Sequence, residues 1–110
     1  MKLRLEDNTL RLRLSVEEGA DFQREGRLET VVPLGPSVSD RLVYALQREE
    51  TTPDNALSIA YTAGRVVVRL PPQIADDWVS SDEVSLRGTM PTTDNQVVHI
   101  LVEKDLGCKH

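Results

Sequence analysis

Four basic side chains crowd the start of the chain: Lys2, followed by Arg4, Arg11 and Arg13 in the stretch LRLEDNTLRLRL. Guanidinium groups held side by side take phosphate or carboxylate oxygens through paired, charge-assisted hydrogen bonds, so the chemistry on offer is anion binding. What would hold them together is a hairpin. With Asp7-Asn8 as a two-residue turn, Glu6 faces Thr9, Leu5 faces Leu10, Arg4 faces Arg11, Leu3 faces Leu12 and Lys2 faces Arg13. The leucines then share one face and the four cations the other. Like charges directly opposite cost a few tenths to about 1 kcal/mol per pair. Either acids on an adjoining strand offset that cost, with Glu29, Glu49, Glu103 and Asp105 as candidates, or an anionic ligand does. A salt-bridge ladder on a solvated face is the simpler of the two.

A second chemistry would need the C-terminal segment HILVEKDLGCKH, where Cys108 and His110 follow Asp105 at a spacing that could hold a soft or borderline metal. An unpaired cysteine near a terminus is the plainer reading, and no cofactor is expected. His99 alternates with Val98 and Ile100 and is expected to point outward or into a helix interface. Asp76-Asp77 are neighbours on a candidate helix and diverge, so they do not make an acid-base pair. G-x-S-x-G, H-E-x-x-H, C-x-x-C and Gly-rich phosphate loops are all missing, which removes sequence support for nucleophilic and zinc catalysis.

The bulk properties set limits on partners. A chain of 110 residues fits one domain, spanning 1–110. With 13 Lys+Arg against 18 Asp+Glu, the net charge of -5 makes nucleic acid an improbable general partner, although a local basic patch remains compatible with it. No stretch of about 18 apolar residues is present, so no membrane span is expected. A single cysteine and the lack of a signal-like apolar start point to the cytoplasm.

The elements that must position these residues repeat. An ungapped shift of 56 places residues 1–54 on 57–110. Leu3, Leu5, Leu10, Leu12 and Leu14 then fall on Ile59, Tyr61, Val66, Val68 and Leu70, the apolar face of a hairpin in both copies. The turn is Asp7-Asn8 in one and Ala63-Gly64 in the other, with Asn and Gly suited to positive φ. Each hairpin leads into a short helix, opened by a Ser15-x-x-Glu18 capping box or by Pro71-Pro72. Phe22 and Trp78 match midway along these helices and read as rings that plug the core. Leu28 falls on Val84, opening third strands, and LVYALQRE falls on VHILVEKD as fourth strands. The expected fold is α+β, an internally duplicated ββαββ-ββαββ chain with about eight strands in an antiparallel sheet or small barrel and two short helices. QREETTPDN is the linker between copies. A symmetric anion site would draw only Arg13 and Arg69 from both halves, since the other outward positions of the second hairpin are Ser58, Ala60 and Val67.

The basic hairpin, RVVVRLPPQIADDW with SDEVSLRG in the middle, and the late LVEKDLGC together resemble a small bacterial family of unknown function, over nearly the whole chain. The resemblance implies that the hairpin and an L-V-E-K-D-x-x-C run recur in the family, usually with Phe where this chain has Leu106. It implies no activity, but it directs attention to Glu103, Lys104, Asp105 and Cys108 as positions with a functional or folding role. Members often continue past the cysteine into an acidic tail, whereas this chain stops at His110.

The leading expectation is therefore a non-enzymatic cytosolic binding or regulatory module, with a homodimer and an anionic small molecule as candidate partners. The alternatives are a barrel-type enzyme or carrier for a phosphorylated molecule using Lys2, Arg4, Arg11, Arg13 and Arg69, and a metal or thiol module using Cys108.

Overall fold

A computed structural model describes residues 1–50 and 56–105. The chain forms β1 (Lys2–Glu6), β2 (Thr9–Leu14), α1 (Val16–Glu25), β3 (Arg27–Pro33), β4 (Arg41–Arg48), β5 (Ser58–Thr62), β6 (Arg65–Leu70), α2 (Pro72–Val79), β7 (Ser85–Pro91) and β8 (Val97–Lys104). The fold is α+β with two helices and eight strands, as the hydrophobic periodicity requires.

The strands are arranged otherwise than in one antiparallel sheet or a closed barrel. They make two four-stranded sheets, β1-β2-β8-β7 and β3-β4-β6-β5, with no ladder joining them among the described residues. Each half of the chain gives its first hairpin to one sheet and its second hairpin to the other, and α1 or α2 carries the chain across. The inner strands consequently run the same way, β2 parallel to β8 and β4 parallel to β6. Alternation along a strand settles which side chains face inward but leaves its neighbour open, so the parallel pairs could not be read from it.

The two sheets share one register plan. Lys2↔Arg13 in β1-β2 becomes Ser58↔Arg69 in β5-β6 at a shift of 56. Thr9↔His99 in the parallel pair corresponds in the same way to Arg65↔Val43. One sequence match needs correcting. Leu28 lies opposite Leu46 and Leu86 opposite Val102, so Leu86, not Val84, is the counterpart of Leu28. The shift is 58 along β3 and β7, which end alike in Pro33 and Pro91, and returns to 56 in β4 and β8. The 34–40 loop is correspondingly longer than the 92–96 loop. Both prolines sit at the ends of edge strands, where a missing N–H disrupts no ladder.

Local chemistry starts and stops the elements. Ser15 Oγ accepts from the Glu18 N–H at 3.1 Å and Glu18 Oε1 accepts from the Ser15 N–H at 2.9 Å, closing the capping box. Gly26, at φ +74°, ends α1 in the left-handed conformation. Pro72 occupies the first turn of α2, where it displaces no hydrogen bond. In the first hairpin turn the positive φ is taken by Asp7 (+51°), and in the second by both Ala63 (+45°) and Gly64 (+81°). Asn8 instead donates its side-chain N–H to the Val97 carbonyl at 3.0 Å, tying the turn to β8. Met1 is anchored too: Tyr44 Oη donates to its carbonyl at 2.7 Å, and its ammonium group pairs with Glu18. Burial works to raise the Glu18 carboxyl, but the hydrogen bonds from that ammonium and from Ser15 outweigh it and hold the group below its ordinary value.

The inner faces of both sheets build a single apolar core. Leu12, Leu14, Leu46, Val68, Leu70 and Val102 are fully shielded, and Phe22 and Trp78 close the core from the helices, each 1% exposed. Among the described residues no helix is long and apolar enough to cross a membrane. Removing either ring leaves a cavity that the sheets cannot collapse around. Phe22→Ala and Trp78→Ala are each expected to lower unfolding stability by about 3–5 kcal/mol, read as a fall in the urea midpoint at constant slope. Val38→Ala, at a side chain 86% exposed, is the matched control and is expected to change nothing measurable. A loss below about 1 kcal/mol at both rings would contradict this core.

Candidate functional site

Because the inner faces are committed to packing, side-chain chemistry is left to the outer faces. Across β1-β2-β8-β7 the ladders align three outward rows: Lys2, Arg13, Glu103 and Ser85; then Arg4, Arg11, Leu101 and Arg87; then Glu6, Thr9, His99 and Thr89. Five basic side chains therefore share one face with two carboxylates, on a protein whose net charge is -5. The hairpin pairing expected from sequence is the pairing found, residue for residue.

The electrostatic balance on this face is incomplete. Glu103 Oε1 lies 3.3 Å from Arg11 Nε and 3.3 Å from Arg13 Nη2, so a single carboxylate serves two guanidiniums. Among the described residues Arg4 pairs with Glu6 alone, at 3.2 Å, with both side chains more than 60% exposed, a pairing that water and salt largely screen. Among the described residues Lys2 and Arg87 have no ion-pair partner. Three open depressions lie on this face among the described residues; one, about 260 Å³, is lined by Lys2, Leu3, Arg4, Arg11 and Arg13, and two more extend from the middle row toward the turn. The first of these two, about 270 Å³, is lined by Arg4, Arg11, Thr9 and Leu101 with Glu6 and the turn residues Asp7 and Asn8. The second, about 450 Å³, is lined by Arg87, His99, Thr89, Thr9 and Leu101.

The other outer face provides a comparison on the same register plan. Its rows are Ser58, Arg69, Gln47 and Arg27; then Ala60, Val67, Ala45 and Glu29; then Thr62, Arg65, Val43 and Val31. Where the first sheet carries Arg4, Arg11 and Arg87, this one carries Ala60, Val67 and Glu29. These rows carry three arginines and one carboxylate: Arg69 has no ion-pair partner among the described residues, while Glu29 Oε1 accepts from Arg27 at 2.7 Å and from Arg65 at 3.2 Å. Small Ala45, between them in the sheet, leaves room for Arg65 to cross over it. Arg27 also donates to Gln47, and Arg69 Nε donates to Ser58 Oγ at 3.2 Å.

The candidate set from sequence thus divides. Lys2, Arg4, Arg11 and Arg13 come together, while Arg69 lies on the opposite sheet, because the crossing of the chain separates the two first hairpins. Of the four acids considered as counter-charges, Glu103 serves the hairpin, Glu29 serves the other sheet, and Glu49 accepts from Gln47 at 2.8 Å. Asp105 donates its backbone N–H to the Leu14 carbonyl at 2.6 Å, extending the parallel pairing past β8. Lys104 plays a structural part, because its Nζ donates to the Trp78 and Ser81 carbonyls at 2.7 and 2.9 Å and sits 5.3 Å from the Trp78 ring centre. It thereby caps the C-terminal end of α2 with a cation, the favourable sign there. Cys108 and His110 lie outside the described residues, and no metal-ligand cluster occurs among the described ones. Sequence reasoning alone does not single out Arg87 and Leu101. Alternation in EVSLRG and VHILVEK puts both outward, but only the β7-β8-β2 order brings them into the row of Arg4 and Arg11.

The chain belongs to DUF7009, a family of unknown function whose model matches residues 1–110. No curated protein matches it, and no solved structure does either.

The Arg27-Glu29-Arg65 cluster makes a pH prediction. Hydrogen bonds from Arg27 and Arg65 hold the Glu29 carboxyl below its ordinary value. A depressed carboxyl adds stability above the unfolded-state pKa and loses it as pH falls through the folded one. Glu29→Gln is therefore expected to cost under about 1 kcal/mol at neutral pH, the site being solvated, and nothing once the pH is below that depressed value. Urea titrations showing the same penalty at neutral and strongly acid pH would contradict this.

Proposed function

We propose that this member of DUF7009 is a cytosolic, non-enzymatic binding module that takes up an anionic ligand on the outer face of the β1-β2-β8-β7 sheet. The observation that carries the reading is the middle row, where Arg4 and Arg11 project side by side and Arg87 follows beyond Leu101, with one exposed partner, Glu6, and a share of Glu103 among the three. Such crowding costs free energy in the empty protein. Nothing in the fold demands it, because the other sheet has the same register plan with Ala60, Val67 and Glu29 at those places. An anion arriving on the face relieves the repulsion and gains charge-assisted hydrogen bonds.

The ligand class follows from what surrounds the cations. All four aromatic residues lie elsewhere: Phe22, Tyr44 and Trp78 are in the core and Tyr61 is on β5. Nucleobases would find no Phe, Tyr or Trp to stack on, only the His99 imidazole and the guanidiniums, which favours a non-aromatic anion over single-stranded nucleic acid. A barrel-type enzyme working in a polar interior draws no support from a core packed with leucine, valine and aromatic rings. We further infer that the chain arose by duplication of a ββαββ unit, with residues 1–54 and 57–110 as the copies. The shared registers support this, and Lys2, Arg4 and Arg11 are then what distinguishes the first copy's hairpin, Arg13 and Arg69 being common to both.

Pyrophosphate is a suitable probe, titrated calorimetrically at low salt. Arg4→Gln and Arg11→Gln are each expected to weaken binding about threefold to tenfold, the loss of one solvated charge-assisted hydrogen bond. Glu103→Gln is expected to strengthen it by a similar factor, since the competing carboxylate is gone. Weaker binding in Glu103→Gln, together with no change in either arginine variant, would overturn the proposal.

A further inference from the structure

Two of the three depressions on the basic face are adjacent and share Thr9 and Leu101, yet each brings its own cation: Arg4 and Arg11, beside the acids Glu6 and Asp7, to one, Arg87 to the other. Arg11 and Arg87 stand two strand positions apart in the same row, about 10 Å between backbones. Leu101 stands between them, half-buried, with no polar group to offer. We infer that the ligand is a dianion with its two anionic groups at the ends of an apolar spacer, one group on Arg4 and Arg11, the other on Arg87, and the spacer lying across Leu101. This rests on the anion-binding reading and narrows it to a class of molecule.

Three features separate a dianion of this kind from a single compact phosphate. A compact anion would be served by Arg4 and Arg11 alone and would leave Arg87 without a purpose. A uniformly charged chain such as polyphosphate would set its middle charges against the Leu101 side chain and desolvate them there without a partner. A ligand with a methylene spacer buries that leucine instead, and its second anionic group binds at the high effective concentration set by the first. His99, beside Arg87 in the second depression, adds a further hydrogen-bonding group at that end only.

The test is a chain-length series of α,ω-dicarboxylates, succinate, adipate, suberate and sebacate, with hexanoate as the monoanion and the matching α,ω-bisphosphonates as a second arm. In the folded wild-type protein, affinity is expected to rise tenfold or more from succinate to an optimum at intermediate length, with hexanoate at least tenfold weaker than that optimum. Arg87→Gln is expected to abolish the length dependence, and to weaken pyrophosphate binding less than Arg4→Gln or Arg11→Gln does. Leu101→Ser is expected to reduce the length gain, with a smaller effect on pyrophosphate than on the optimal dicarboxylate. The arm that binds more tightly identifies carboxylate or phosphate as the natural head group. Affinity independent of length, or a length optimum that survives Arg87→Gln, overturns the inference while the anion site stands, provided pyrophosphate still depends on Arg4 and Arg11. Loss of that dependence instead removes the anion site itself.

Discussion

Everything outside the core follows from how completely the inner faces of β2, β8, β4 and β6 are used. Leu12, Leu14, Val102, Leu46, Val68 and Leu70 leave no solvent-accessible surface, and Phe22 and Trp78 seal the remaining space. Burying a Val, Leu or Phe side chain contributes roughly 1.5–3 kcal/mol, so a polar group aimed inward would lose that and add a desolvation cost. No buried side-chain nitrogen or oxygen among the described residues lacks a hydrogen-bond partner. A core of this kind holds structure, and it moves recognition to the surface.

The interlocked halves then make the surface informative. Each sheet combines a first hairpin with the second hairpin of the other half, so two outer faces are built on one set of registers. The rows of one face carry three arginines, two of them held by Glu29, with the small or apolar residues Ala60, Val67 and Ala45 along most of the middle row. The other asks Glu103 to serve two arginines and leaves Arg87 and Lys2 without an ion-pair partner among the described residues. The same backbone plan thus separates what the fold requires from what it merely carries. Glu103 and Lys104 belong partly to the requirement, since one holds the basic hairpin to β8 and the other ends α2.

Much of this was legible in the sequence where the signal is local. The hairpin register, the capping box at Ser15, the prolines opening α2 and the buried rings at Phe22 and Trp78 all follow from spacing and side-chain type. What escaped depends on contacts between distant segments. Period-two alternation puts Arg87 and Arg69 both outward, yet only the order of strands decides that Arg87 joins Arg4 and Arg11 while Arg69 faces away with the other sheet. The two-residue change of shift along β7 was hidden for a related reason, because Val84 and Leu86 are both apolar and only the ladder with β8 distinguishes them.

The central claim is that the two outer faces, alike in backbone, differ in function. The most direct measurement is a pyrophosphate titration followed by backbone amide chemical shifts. The account predicts saturable shifts along Arg4, Arg11, Leu101 and Arg87, with the equivalent positions Ala60, Val67, Ala45 and Glu29 unmoved. Shifts of equal size on both sheets, or confined to the helices, would contradict it.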